Sequence, residues 1–276
     1  MIGRTARATA PGVAPVSNTE TLPAPIRLTR RLLGQELILV LALSLGASGV
    51  SALISFVGSL TAPVSLRAQH ATLNGSITPG RPWLDLTWHL FNIASALVPV
   101  ALVAYLLVRE GSSIRALGFD LTQRWSDLGK GFLVAAAIGG SGLLLYLGAR
   151  ASGANLTVVP SALPDVWWRI PVLILSAVQN AVVEEVIVVG YMLRRLGQLG
   201  WSWPATVAAS ALLRGSYHLY QGVGGFVGNV VMGVIFCWLY SRWRRVAPLV
   251  IAHGLIDTVA FVGYVLLAGH VSWLPT

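Results

Sequence analysis

The chain of 276 residues is 55% hydrophobic and only 11% charged, and its mean hydropathy is +0.72. Those values exclude an ordinary soluble enzyme and leave no room for a separate soluble domain. A net charge of +9 would suit a nucleic-acid binder, but the basic residues fall between apolar runs rather than in one patch, so no nucleic-acid partner is expected.

Residues 1–36 are rich in Pro, Ala, Thr and Arg without apolar periodicity, which predicts a flexible basic tail. Seven apolar runs follow, each near the length of about 20 residues that a membrane-crossing helix needs. They are Leu37 to Leu60, Leu84 to Val108, Gly131 to Ala149, Trp168 to Tyr191, Pro204 to Leu219, Gly224 to Tyr240 and Val246 to Ala268. The fold class is therefore all-α, a polytopic membrane helical bundle of about seven spans. Residues 37–150 form its N-terminal membrane helices, and residues 151–276 form the core that holds the chemistry. Breaks such as "NGSITPGRP", "RASGAN", "LGQLGWSWP" and "YQGVGG" carry the Gly, Pro, Asn and Ser of turns. The stretch "SSIRALGFDLTQRWSDLGKGF", with Leu117, Phe119, Leu121 and Trp125, reads as a surface segment lying on the membrane.

Charge gives the orientation. Alternate segments hold Arg4, Arg7, Arg27, Arg30 and Arg31, then Arg109, Arg115, Arg124 and Lys130, then Arg194 and Arg195, then Arg242, Arg244 and Arg245. The opposite side holds only Arg67, Arg81, Arg150 and Arg169. The positive-inside rule places the N-terminus in the cytoplasm and, with seven spans, the C-terminus outside; the cell (plasma) membrane is the expected location. Tryptophans near the span ends, among them Trp83, Trp88, Trp168 and Trp273, read as an interfacial belt. A single cysteine, Cys237, rules out a disulfide within the chain. Nothing in the sequence reports the oligomeric state.

The first three runs carry little polar chemistry beyond Ser, Thr and Asn. The last four carry Gln179, Asn180, Glu184, Glu185, Arg214, His218, Asn229, His253 and Asp257. Charges are expensive in hydrocarbon, so these groups are expected to converge on one polar cavity. Asn180 and Glu184 lie four apart, which lets the amide support the carboxylate, and His253 and Asp257 share a helical face in the same way. Glu184 and Glu185 point about 100° apart on an α-helix, which predicts different tasks for them. A buried carboxylate beside histidines can activate water for peptide hydrolysis without a covalent nucleophile. The same residues, Glu184, His218 and His253, could alternatively hold zinc. His70, His89 and His270 read as surface residues, and Gly222, Gly224, Gly225, Gly228 and Gly233 as close-packing positions.

The order "EEVIVVGY", "LLRGSYHLYQG" and "IAHGLIDT" resembles the CPBP family of intramembrane proteases, which includes CAAX-processing prenyl endopeptidases and bacterial Abi-type proteins. The resemblance covers about residues 168 to 270 and rests on the family's motifs EExxxR, FxxxH and HxxxN or HxxxD. It implies a glutamate-dependent endopeptidase with a peptide or membrane-protein substrate and no cofactor. Glu184 would be the water-activating base, His218 its partner, and His253 with Asp257 the oxyanion-stabilising pair. The sequence departs from the motifs twice. Val189 stands where the arginine is expected, and Arg214 where the phenylalanine is expected. The guanidinium is thus predicted to have moved to the next helix, with Arg214 reaching Glu185. Counting residues at about 1.5 Å each puts Glu184 and His253 in the cytoplasmic half, with substrate entering from the membrane or cytoplasm. His218 joins them only if "YQGVGG" turns inside the protein. The alternative class is a non-catalytic scaffold, immunity protein or proton-coupled carrier on the same fold.

Overall fold

A computed structural model of the protein describes residues 28–153 and 155–271. Most of the expected tail, and Trp273, lie outside the described residues. Helix α1 (Arg30–Ala42) starts inside the expected tail and is capped by the Thr29 hydroxyl, which accepts from Leu32 N–H at 3.3 Å. It meets α2 (Leu45–Thr61) at a bend of 49°, so the first predicted span is a broken one. Strand β1 (His70–Gly75) follows, then α3 (Pro82–Ala96) and α4 (Val98–Arg109), which together make one long span broken near Pro99. Proline lacks the N–H that would continue the helix, which accounts for the break. After α5 (Arg124–Ala151), strand β2 (Thr157–Ala162) pairs parallel with β1, a feature outside the all-helical expectation.

The next span is α6 (Arg169–Glu184), a π-helical segment Glu185–Tyr191, and α7 (Met192–Gln198). Helix α8 (Trp203–Tyr217) then leads through a 3-10 turn, Leu219–Gln221, into α9 (Val223–Trp243), and α10 (Ala247–Leu267) ends the described bundle. Five helical spans among the described residues are long and apolar enough to cross a membrane, or six with the bent pair. The fifth predicted run, Pro204 to Leu219, is not among them. Helix α8 has 15 residues, roughly 22 Å at 1.5 Å each, short of a hydrocarbon core of about 30 Å. The chain finishes that passage as the 3-10 turn, which is tethered to the segment before β2. Leu156 N–H donates to the Gln221 carbonyl at 3.1 Å, and Gly224 N–H to Asn155 Oδ1 at 2.9 Å. The turn that His218 required is present, half-buried apart from buried Gly222 and exposed Val223. Close packing supports it, because a Cβ on Gly49 would sit 2.6 Å from Ser216 Oγ, and one on Gly233 would sit 2.9 Å from Ala211 Cα.

Both strands lie at the end of the bundle opposite the basic connections. At the basic end the arginines are paired. Arg195 is fully buried and donates to Glu110 at 2.6 Å, Glu36 at 3.1 Å and Gln198 at 2.8 Å. Arg194 pairs with Glu110 and Arg109 with Glu36, so these cations tie α1, α4 and α7 together as well as marking orientation. Leu117 is buried under Gly190 while Leu121 and Trp125 are exposed, so only part of the expected surface segment is superficial. Trp168 and His89 are also corrected. Both are buried, their rings 6.0 Å apart, because α3 packs its His89 face on the start of α6.

Arg245, in the turn between α9 and α10, donates to Asp127 at 2.7 Å and to Asp120 at 3.0 Å. Hydrogen bonds from Arg245 and then Thr122 hold the Asp120 carboxyl well below the usual carboxylate range. A lowered folded pKa gives stability that is complete above the unfolded value, about 3.9, and is lost as pH falls through the folded one. Thermal stability in detergent should therefore show no contribution from this pair to the change between pH 7 and 5. It should fall below about pH 4, and Asp120→Asn should flatten that limb. An equally steep acid limb in the variant would remove Asp120 as its cause.

Candidate active site

The two glutamates sit where α6 passes into the π-helical segment. A π-helix is rare and hydrogen-bonds from i to i+5, which widens the turn, and here the widened turn is tied to its neighbour. Ser210 Oγ on α8 donates to the Val188 carbonyl at 2.9 Å, and buried Cys237 lies against the same hydroxyl. Glu184 is 7% exposed and Glu185 is fully buried.

Arg214 on α8 bridges them. Its Nη2 lies 2.5 Å from Glu185 Oε1, its Nη1 3.4 Å from Glu184 Oε2, and its guanidinium stacks 5.2 Å from the Phe236 ring centre. The predicted reach from the next helix is thus present. Fully buried charge is tolerable only when paired, and Phe236 shields the open face of the cation. Glu185 also meets His253 Nδ1 at 2.8 Å, while His253 Nε2 faces Asp257 at 3.6 Å.

Glu184 has a different setting. Its Oε2 accepts from Tyr217 Oη at 2.9 Å and lies 3.7 Å from His218 Nε2. The Gln221 amide approaches His218 Nδ1 at 3.3 Å. The other ring nitrogen, Nε2, is the one on the Glu184 side. None of these contacts involves Glu184 Oε1. A cavity of about 580 Å³ opens on this carboxylate, with His218, Asn180, Asp257 and Gln179 in its wall. Asn180 lies beside Asp257, and both line this cavity with Glu184. Glu185 and His253 do not line the cavity; they stand behind Glu184. Adjacent glutamates therefore do have separate settings, one facing the cavity and one facing the guanidinium.

Sequence reading missed Tyr217, Tyr220 and Gln221. The signal was available for the first, since Arg214, Tyr217 and His218 lie at i, i+3 and i+4 on one helical face. It also missed the cavity wall from earlier spans, which includes His89 and Asn92 of α3 and Leu73 to Gly75 of β1. That wall belongs to the end of the bundle away from the basic connections.

The zinc alternative was tested against the donor set. The ligand atoms that come together are those of Glu184, Glu185 and His253, within 4.8 Å of one another, and not the expected Glu184, His218 and His253. They fit a cation poorly. Arg214 already places positive charge against an oxygen of each carboxylate, and Glu185 Oε1 is bonded to His253.

A buried carboxylate beside a histidine thus opens on a polar cavity inside a multi-pass helical bundle. Residues 166–259 match the family model described as type II CAAX prenyl endopeptidase Rce1-like. The match takes in about a third of the chain and contains Glu184, Glu185, Arg214, His218, His253 and Asp257. No curated protein and no solved structure matches the chain.

Proposed function

We propose that this multi-pass membrane protein is an intramembrane endopeptidase that hydrolyses a peptide bond with water activated by Glu184. The observation that carries the reading is the setting of that carboxylate: its Oε2 is held by Tyr217 and Arg214 while the side chain lines the cavity beside His218. Water between Glu184 and His218 Nε2 would lose a proton to Glu184 as its oxygen attacks the scissile carbonyl carbon. The carbonyl oxygen becomes an oxyanion, and neutral donors in the cavity wall, the Asn180 amide first, are placed to receive it. Collapse breaks the C–N bond as Glu184 returns the proton to the leaving amine, giving a carboxylate and an amine. Glu185, Arg214 and His253 act as positioning residues that fix Glu184 and balance its charge. Asp257, an ionisable wall residue, orients Asn180 rather than donating to the oxyanion itself.

With the basic end cytoplasmic and the N-terminus inside, the cavity would take substrate from the membrane and the opposite face. The substrate is a peptide segment of a membrane-associated protein. The test is cleavage by the purified protein of a membrane-tethered peptide. Activity should survive a metal chelator, protein-bound zinc should be far below one per chain, and Glu184→Gln should abolish cleavage. Cleavage lost on chelation and restored by zinc would overturn the metal-free mechanism.

A further inference from the structure

Strand β1 has one edge on β2 and one edge open. Thr157 N–H donates to the Gln69 carbonyl at 2.9 Å, so the main chain of the odd-numbered residues faces β2. Successive residues of a strand alternate, which turns the N–H and C=O groups of His70, Thr72 and Asn74 away from β2. The far edge of β2 is occupied, with Val158 N–H on Tyr146 Oη at 3.2 Å and Leu156 N–H on the Gln221 carbonyl. No such partner meets the three outward positions of β1 among the described residues.

A second cavity, of about 610 Å³, adjoins this strand. Its wall is the face of α2 that carries Ser48, Ser51, Ser55 and Ser59, together with His70 and Thr72 of β1. Four serines at spacings of three and four make a polar stripe on a helix otherwise exposed as apolar surface. Tyr220 belongs to both cavities, and β1 runs from the serine-lined one, at residues 70 to 72, to the one holding Glu184, at residues 73 to 75. The strand is six residues long, about 20 Å, enough to pass a peptide from one cavity to the other. An open strand edge beside lipid leaves backbone groups that only another backbone can satisfy well.

We propose that the free edge of β1 is the substrate-binding edge: an extended segment of the substrate adds as a third strand, pairing its main chain with His70, Thr72 and Asn74. The inference rests on the peptidase reading for what happens at Glu184, and it names how the peptide gets there. Strand addition draws affinity from the main chain, so it tolerates many sequences. It also holds the peptide extended, as a bond must be to be attacked. The serines of α2 would hydrate or bond the segment beyond the strand.

The test uses Thr72→Cys in the full chain with Glu184→Gln, with Cys237 left in place because it is buried. The probe is a series of 12-residue Ala-Val repeat peptides on an apolar anchor helix, each with one cysteine at a successive position. Disulfide cross-linking should peak at every second position, since only alternate residues of a paired strand share a face with residue 72. Cross-links at a helical period, at all positions alike, or at none would overturn strand addition. Cleavage of the same peptides by the protein with Glu184 intact is scored separately. Cleavage without the two-residue period sinks the strand proposal alone, and the period without cleavage sinks the peptidase reading alone. In kinetics, Thr72→Pro removes one outward N–H without touching the ladder to β2. It should raise KM about tenfold with kcat and thermal stability retained; an unchanged KM in a stable variant would count against the pairing.

Discussion

Glu184→Gln is expected to lower the rate of peptide cleavage by at least about a thousandfold while leaving thermal unfolding close to that of the parent protein. The two halves of that expectation come from different atoms. Glutamine keeps an oxygen for Tyr217 and the volume of the side chain, and Arg214 keeps its shorter contact to Glu185, so the buried cation is still paired. What disappears is the oxygen that can take a proton from water. Single-turnover measurement with a tethered peptide separates that loss from weaker binding: the chemical step should slow while the apparent Kd stays within about threefold. His218→Ala should cost less, about a hundredfold, since it orients the water without receiving its proton. His253→Ala should act mainly on stability, because it strips Glu185 of a partner behind the cavity. A Glu184→Gln protein that cleaves within about tenfold of the parent would assign the proton transfer elsewhere.

Much of this site could be read from residue types and spacings. Glutamates inside an apolar run must be compensated, and Arg214 was the one arginine within a span able to do it. His218 and His253 followed in motif order, so convergence of the last four spans needed only helical geometry. The parts that escaped depended on pairings distant in sequence or on backbone distortion. Strand β1 meets β2 across 87 positions, as in His70 with Thr157, and "HATLNG" and "TVVPSA" are short runs that read as connections between spans. The π-helical turn at Glu185–Tyr191 leaves no composition signature in "EVIVVGY". Serine in α2 and asparagine in α3 read as neutral filler, because a single span shows which residues share a face but not that the face borders a cavity. His89 was placed at the surface for the same reason: its partner, Trp168, arrives from a helix about eighty residues later.

The displaced guanidinium yields the largest expected change in stability. Arg214→Phe, the residue the resemblance expects there, should destabilise the protein by about 3–5 kcal/mol, since Glu185 is wholly buried and would keep only His253. Val189→Arg should be destabilising too. Position 189 is fully buried, and a second guanidinium there would press on a cluster already balanced by Arg214. The two changes together should not add. Residue 189 follows Glu185 by four and Glu184 by five within the π-helical segment, where hydrogen bonding at i to i+5 stacks such positions, so an arginine there points back toward the same two carboxylates. Arg214→Phe would meanwhile set a ring against Phe236 in the volume the guanidinium vacates. The double variant should therefore be more stable than either single one, with a coupling of about 2–3 kcal/mol measured by thermal unfolding in detergent, and its cleavage rate should recover relative to Arg214→Phe. Effects that simply sum would mean that Arg214 and the missing arginine at position 189 serve different partners, and that Arg214 stabilises α8 against α9 rather than replacing the lost charge.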